Sequence, residues 1–313
     1  MGNVKRAGMI FAIISAVTWG TYGTFYTFLL EGGVSDLTLV ALAPLALVLY
    51  FGARVLITKP GVLKKIPWKY YLGMALQGFI LVNAMNYCYA QAYTHEMPVG
   101  IVSTVAFCNV LIIMIESYFL FKYKFTVAKV VSMVIALVGV SLVLNVFGES
   151  SNSLSSTGIM WTLLIPVFFG TNVTLNTFFI VKKVDTDAIL FITQGFALVF
   201  MLIFQIHPVA LVQDVGAAIS NNMLIIFALL GFCAIPQALC YATMQETLKR
   251  IEPAIMGIVY SLDPVVALVL GLIIFTQAIG IVQILGVLCV LAAVAFINYK
   301  EGREAAKAAD EGT

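Results

Sequence analysis

Charged residues are scarce in this chain of 313 residues, since Asp, Glu, Lys and Arg together make up 10% of it. A soluble domain carries about 25%. Hydrophobic residues make up 62%. So little charge cannot cover a surface that faces water, which excludes soluble enzymes, nucleic-acid-binding proteins and disordered chains. The composition therefore predicts an all-α integral membrane protein.

Residue types that carry catalysis or bind metals are also few. The chain has two His, and its five Cys are scattered through apolar stretches without a CxxC motif. We find no GxSxG, HExxH or Walker A motif and no cluster with metal-ligand spacing. We therefore expect no disulfide framework, metal, cofactor or direct use of ATP, and no enzyme. An integral-membrane enzyme is an alternative that no motif supports.

Charges and turn residues divide the chain into ten apolar stretches, each long enough for a crossing, which takes about 20 residues. The predicted spans cover residues 8–30, 37–57, 69–92, 97–121, 127–147, 157–181, 187–206, 223–247, 252–276 and 280–298. The last two are divided at residues 276–280, because the uncharged stretch 264–299 is too long for one crossing.

The basic residues all fall on one side of this arrangement. With ten spans, every one of the 17 Lys and Arg lies at a terminus, in a connection or at the adjoining end of a span, and all of these are on the same side. The opposite connections carry only acidic charge, from Glu31, Asp36, Glu96, Glu149 and Asp214. Because cytoplasmic loops are enriched in Lys and Arg, the pattern predicts a multi-pass protein of the inner (plasma) membrane with both termini in the cytoplasm.

The two halves of the chain resemble each other. Residues 19–28 (WGTYGTFYTF) and 169–178 (FGTNVTLNTF) match at five of ten positions with an offset of 150. Five spans are an odd number, so the second half must enter the membrane inverted, as in many secondary transporters. The predicted organisation is a first five-helix repeat (1–148), an external linker (149–156), a second repeat (157–299) and a cytoplasmic tail (300–313).

A second match lies later in each half. Pro98 opens the fourth span and Pro253 opens the ninth, at an offset of 155. The same offset places Asn86 opposite Tyr241 and Asn109 opposite Pro264.

These features together resemble a known family. The chain has Trp19-Gly20-Thr21 in the first span, the openings at Pro98 and Pro253, and Leu262-Asp263-Pro264 in the ninth span. In this it is similar to the ten-helix, EamA-type members of the drug/metabolite transporter superfamily. The resemblance implies two inverted repeats of five helices each. It also implies a carrier of amino acids, organic cations, nucleotide-linked sugars or other metabolites, driven by protons or by exchange.

Polar and aromatic side chains within the spans are candidates for binding substrate, because polar groups in lipid face a cavity or a partner. They form a stripe on the third span, a row on the eighth and a cluster near the repeated motif. The predicted substrate-binding residues are Trp19, Tyr22, Asn83, Asn86, Tyr87, Gln91, Asn172, Asn176, Gln237, Tyr241 and Tyr260. The alternative is that these stripes only hold helices together by hydrogen bonds.

Two acids lie inside predicted spans and are candidates for coupling. Asp263 is at the centre of span 252–276, where lipid disfavours the charged form, so it could bind and release a proton or pair with a substrate amine. The alternative is a permanently protonated acid with a structural hydrogen bond. Glu116 lies nearer the cytoplasmic end of its span. The alternative to a coupling role is that its side chain reaches the membrane interface or pairs with a Lys.

These observations predict a secondary active transporter that exports a small polar, amino-acid-like metabolite by alternating access, with proton coupling as a hypothesis. No Lys or Arg lies in the interior of a span, away from its cytoplasmic end, which disfavours phosphorylated substrates. Aromatic residues such as Trp19 could stack on an aromatic or cationic substrate, so efflux of organic cations or drugs is an alternative function. A sugar facilitator is also open and would not need Asp263. The expected partners are a small-molecule substrate, protons and the lipid bilayer, with no nucleic acid; the oligomeric state stays open.

Overall fold

The computed structural model describes residues 3–121, 127–144, 154–251, 256, 259, 260, 262–277 and 279–311. All regular structure in these ranges is helical, which confirms the predicted fold class. The α-helices are α1 (Asn3–Gly20), α2 (Tyr22–Glu31), α3 (Asp36–Thr58), α4 (Trp68–Leu76), α5 (Asn83–Thr94), α6 (Val99–Ala106), α7 (Asn109–Phe121), α8 (Val127–Val143), α9 (Ser156–Val181), α10 (Thr186–Phe200), α11 (Pro208–Asn221), α12 (Ile225–Phe232), α13 (Cys240–Leu248), α14 (Leu262–Phe275) and α15 (Ile281–Glu311).

Three π-helical segments interrupt or extend these helices. Gln77–Val82 joins α4 to α5, Met201–Gln205 extends α10, and Cys233–Leu239 joins α12 to α13. The first and third lie at equivalent places in the third and eighth predicted spans. The two halves therefore share this irregularity as well as the sequence motif.

Within the described ranges, six stretches are long and apolar enough to cross a bilayer. They are Val4–Glu31, Asp36–Thr58, Val99–Leu120, Ser156–Val181, Thr186–Gln205 and Ile225–Thr247. Shorter apolar helices, Val130–Val143, Leu262–Phe275 and Ile281–Phe296, lie in three further predicted spans, and the polar third span is helical from Trp68 to Thr94. The count of ten crossings stays a prediction. Pro253, Lys122, Lys124 and linker residues 149–153 lie outside the described residues.

Helix α11 occupies a stretch that the spans leave as a connection. Pro208 stands in its first turn, and the His207 Nδ1 accepts a hydrogen bond from the Val209 amide at 3.3 Å. At 14 residues the helix is too short for a crossing, so the length of apolar stretches in the sequence does not predict it. Asp214 Oδ2 accepts bonds from the Ser35 amide (3.0 Å) and hydroxyl (2.8 Å), which fixes α11 to the start of α3.

The turns that follow the first span of each half, after α2 and after α9, have the same backbone. Gly33 and Lys183, 150 residues apart, both have positive φ, at 89° and 61°. In each turn the amide of the next residue, Val34 or Val184, bonds the carbonyl five residues earlier, at 3.0 Å and 3.1 Å. The offset of 150 read from the sequence therefore holds in the structure.

The halves interlock rather than lie side by side. Helix α1 of the first half packs on α13 and α14 of the second, and α9 packs on α5, α6 and α7 of the first. A Cβ atom built on Gly20 would lie 2.8 Å from the Asp263 carbonyl oxygen, and one on Gly170 would lie 2.9 Å from that of Asn109. Close helix approach thus requires glycine at both sites. These two equivalent contacts pair Asn109 with Asp263. The offset of 155 predicts Pro264 as the partner of Asn109, one residue further along the chain.

The ends of the bundle follow the charge pattern. Arg250 lies over the ring of Phe11, 5.0 Å from its centroid, and Lys59 bonds to Asp185. We call this the basic end. At the other, acidic end, Tyr26 donates a hydrogen bond to the Asp36 carbonyl at 3.2 Å. Each contact joins chain segments that the distribution of Lys and Arg assigns to one side.

Candidate functional site

A small cavity lies between the two halves, near the middle of the helices that form it. Its lining residues are Trp19, Tyr22, Ala43, Leu47, Met85, Asn86, Tyr89, Gln194, Gln237 and Tyr241. The free volume of about 10 Å³ is room for about one water molecule. The side chains therefore close around the cavity, and a larger solute can enter only after the halves move.

Five of the predicted substrate-binding residues meet at this cavity: Trp19, Tyr22, Asn86, Gln237 and Tyr241. The Trp19 ring stacks on Tyr22 at a centroid distance of 5.5 Å and meets Tyr241 edge-on at 5.6 Å. Asn86 and Tyr241, which the predicted offset of 155 pairs, both line the cavity, so each half contributes a helix to the lining.

Three amide side chains of the cavity have no hydrogen-bonding partner among the described residues. Asn86, Gln194 and Gln237 are 6%, 3% and 3% exposed, and none makes a side-chain hydrogen bond within the described part of the chain. The buried Tyr22 hydroxyl also lacks a partner there. A buried amide without a hydrogen bond is costly, so these groups suit a polar solute or water. Charged side chains are absent from the described lining.

The sequence does not predict Gln194 as a site residue. It is on α10, whose sequence is otherwise apolar around Thr193 and Gln194. A single Gln makes no stripe, so helical periodicity cannot assign it to a face. The signal in the sequence is only that a buried amide interrupts an apolar span.

Three predicted residues lie in hydrogen bonds between helices. Gln77 Nε2 donates to Asn172 Oδ1 at 2.5 Å and to Asn176 Oδ1 at 2.9 Å, which joins the third span to α9. Asn83 Nδ2 donates to the carbonyl oxygens of Gly78 (3.0 Å) and Ala197 (3.3 Å). None of the three predicted residues lines the cavity, and their contacts match the structural alternative.

The remaining substrate-binding candidates also face other neighbours. Gln91 Nε2 donates to Asp36 Oδ2 at 3.2 Å, near the acidic end. The Tyr87 ring meets Trp161 edge-on at 5.5 Å. The Tyr260 hydroxyl is hydrogen-bonded to the Ser15 hydroxyl. Any role of these three in binding stays a prediction.

Each candidate coupling acid is bound by one hydroxyl group. Asp263, 6% exposed, accepts a hydrogen bond from Ser103 at 2.7 Å. Glu116 accepts one from Thr171 at 2.6 Å, and its Oε2 is buried without a partner in the described residues. Neither acid forms an ion pair within those residues, and neither lines the central cavity.

A charged cluster at the basic end links α3 to α10. Asp187, only 1% exposed, lies 3.1 Å from Arg54 Nη2 and 2.8 Å from Lys59 Nζ, which also bonds Asp185 at 2.7 Å. Partial burial opposes the charge of Lys59, but its bonds to Asp185 and Asp187 outweigh this and raise the Lys59 pKa. Burial likewise opposes ionisation of Asp185, but Lys59 and the Ala188 amide lower the Asp185 pKa.

Comparison with known proteins agrees with this architecture. The model of the EamA-like transporter family matches residues 6–145 and again residues 156–299, once in each half. An uncharacterized transporter of Bacillus subtilis (strain 168), YxxF, is 24% identical over 293 residues, which cover 93% of this chain and 89% of that protein. A protein of known crystal structure aligns with a TM-score of 0.61 at 17% identity, over 96% of this chain and 99% of its own, which shows the same fold. The chain belongs to the EamA-like transporter family of the drug/metabolite transporter superfamily, and it is a multi-pass membrane transporter of small molecules.

Proposed function

We propose that the protein is a secondary active transporter that carries a small, polar solute without net charge through the central cavity. The observation that carries this proposal is the set of unpartnered buried amides, Asn86, Gln194 and Gln237. Their free donors and acceptors can replace the water around a zwitterion or a neutral polar molecule. An amino-acid-like solute fits this chemistry.

Alternating access follows from the arrangement of the halves. The contacts at Gly20 and Gly170 are equivalent, so the two halves can exchange conformations and expose the cavity to either side in turn. The cavity is nearly closed, which is the form expected between the two open states. The solute moves without a chemical step in this scheme.

Asp263 is the proposed coupling residue, with Glu116 as the second. A carboxyl that is buried and bound by one hydroxyl can take up a proton and release it when the halves rearrange. We place the basic end on the cytoplasmic side of the inner membrane, so that both termini lie in the cytoplasm. Proton entry from outside would then drive export of the solute. Asp263 lies off the cavity lining, so coupling would act through the packing of α14 on α1 and α6.

An organic cation is the second candidate substrate, because aromatic rings surround the cavity. Trp19 and Tyr22 are stacked, and Tyr241 stands at the edge of Trp19. Such rings attract a cation even without an acidic partner. Sugar transport would use the same amides and rings, and it would proceed without Asp263.

Transport assays in proteoliposomes test the proposal. A panel of labelled amino acids is measured with and without an imposed pH gradient, in the wild type, Asp263→Asn and Gln237→Leu. We expect gradient-driven accumulation in the wild type, its loss with exchange retained in Asp263→Asn, and loss of both in Gln237→Leu. Ser103→Ala is the control that removes the hydrogen bond to Asp263 and keeps the acid.

The outcomes separate the alternatives. Accumulation that Asp263→Asn leaves intact would make Asp263 a structural hydrogen-bonding residue. Movement of every solute down its own gradient only would indicate a facilitator. If labelled organic cations move and no amino acid does, the proposed substrate class is wrong.

A further inference from the structure

A second and larger cavity opens on the side of the bundle, toward the basic end. It lies between α9 and the third span, has a free volume of about 570 Å³, and does not share a lining residue with the central cavity. This volume is in the range of ligand sites. The walls are mostly apolar, with Gln77 as a polar side chain between them: Leu76 and Ile80 on the third span are 53% and 58% exposed, and Phe178 and Phe179 face them from α9. We call this the lateral groove.

The lateral groove has the length of one bilayer leaflet. Its lining on the third span extends from Lys69 to Leu81. Twelve residues at 1.5 Å each give about 18 Å, against about 15 Å for half of the hydrocarbon core. Trp68, 76% exposed, marks the level of the headgroups at its mouth.

Two lysines that form no ion pair with the described residues stand at the mouth, one on each wall. Lys69 lies over the Tyr70 ring at 5.5 Å, and Lys182 lies over the Phe178 ring at 5.7 Å. Both rings belong to residues that line the groove. In the described residues neither lysine pairs with a carboxylate, so both ammonium groups are free to bind an anion.

We infer that the lateral groove binds one anionic phospholipid of the cytoplasmic leaflet. One acyl chain lies between the third span and α9, and the phosphate lies between Lys69 and Lys182. A polar solute of the kind proposed for the central cavity has no match to these apolar walls. The bound lipid joins helices from opposite halves of the protein, so it stays with the protein when surrounding lipids exchange.

Native mass spectrometry of the purified full chain tests this site. The protein is mixed with equal amounts of palmitoyl-oleoyl phosphatidylglycerol and phosphatidylcholine, and the lipid retained per chain is counted. We expect the wild type to prefer the anionic lipid by roughly 10- to 30-fold, since two lysines contact its phosphate. Lys69→Gln with Lys182→Gln should remove the preference, and arginine at both positions should restore it.

Matched controls separate the site from general attraction to the basic end. Leu76→Trp fills the groove and should lower retention of both lipids, whereas Leu72→Trp, one turn earlier and outside the lining, should not. Lys64→Gln with Lys65→Gln removes the same charge from the same end and should leave the preference unchanged. Equal retention of both lipids by the wild type, or equal losses in the control variants, would overturn the inference.

Discussion

The rings of Trp19 and Phe169 lie 5.8 Å apart, although 150 residues separate them and they hold the same position in the two repeats. Contact between equivalent residues places both rings at the axis that relates the halves. Contacts on this axis persist when the halves exchange conformations, whereas contacts away from it change. Trp19 also lines the central cavity, so the axis passes beside the proposed substrate site.

The cavity amides should control affinity. Asn86→Leu and Gln194→Leu should each raise the KM for the transported amino acid by about 10- to 100-fold, because each removes a hydrogen bond to the bound solute in a buried site. Initial rates of uptake into proteoliposomes measure this effect. Tyr87→Phe is the control, since Tyr87 is next to Asn86 and faces Trp161. An equal rise in KM for Tyr87→Phe would contradict the assignment of the cavity.

The glycines of the first helix in each half should matter for stability. Gly20→Ala and Gly170→Ala should lower the free energy of unfolding by about 1–3 kcal/mol each, because a Cβ there meets a carbonyl oxygen and a branched side chain of the opposite half. Thermal unfolding in detergent measures the loss. Gly195→Ala is the matched control, since nothing lies within 4 Å of that Cβ position. Equal destabilisation by all three would exclude the packing argument.

The predicted parts of the structure are those that periodicity and charge can reveal. Long apolar stretches and the one-sided Lys and Arg indicate membrane helices, and Asn86 and Tyr241 belong to polar stripes that mark a face. Periodicity does not identify the helix that covers this face. For that reason Asn83, Asn172 and Asn176 were grouped with the cavity residues, although they bond to neighbouring helices.

Other features depend on contacts between distant parts of the chain. Arg54 and Asp187 are 133 residues apart, and no local pattern pairs them. Gln194 is a single polar residue in an apolar helix, which leaves its direction undefined. Helix α11 falls below the length of a crossing, and the sequence there reads as a connection.

The ion pair between Lys59 and Asp185 should stabilise the basic end over a defined pH range. The Asp185 pKa is lowered by folding, so its contribution is present above the unfolded value of about 3.9 and disappears as pH falls through the folded pKa. The Lys59 pKa is raised, so its contribution lasts until pH rises past about 10.4. Both groups are partly exposed, which limits the effect to about 1 kcal/mol.

Asp185→Asn isolates this charge effect, because Asn can still accept the capping bonds from the Asp187 and Ala188 amides. We expect the variant to have a lower Tm than the wild type at pH 7. The difference should shrink below about pH 4, where Asp185 of the unfolded chain becomes protonated, and should disappear as pH falls through the lower pKa of the folded state. A difference in Tm of the same size at pH 3 and pH 7 would show that the charge is not its cause.

Lys183 should be strained where its counterpart Gly33 is not. Its φ of 61° is in the left-handed region, which costs a non-glycine residue about 1 kcal/mol. Lys183→Gly should therefore raise the free energy of unfolding by about 0.5–1 kcal/mol, measured in denaturant. Lys183→Ala removes the same charge and keeps the strain. An equal gain in both variants would assign the effect to charge.

The π segments of the third and eighth spans separate two functions along one helix. Gln77–Val82 lies between the basic-end part of the third span and Asn86, whereas Cys233–Leu239 lies between the acidic-end part of the eighth span and Tyr241. Each segment thus separates a packed end from the end that carries a lining residue. An α-helix turns about 100° per residue, so the extra residue of a π turn rotates everything beyond it by about that angle. Deleting one residue there would aim a different row of side chains at the solute and leave the packed end in place. In such a scaffold, inserting or deleting one residue in a π segment can change substrate selectivity without replacing any lining residue.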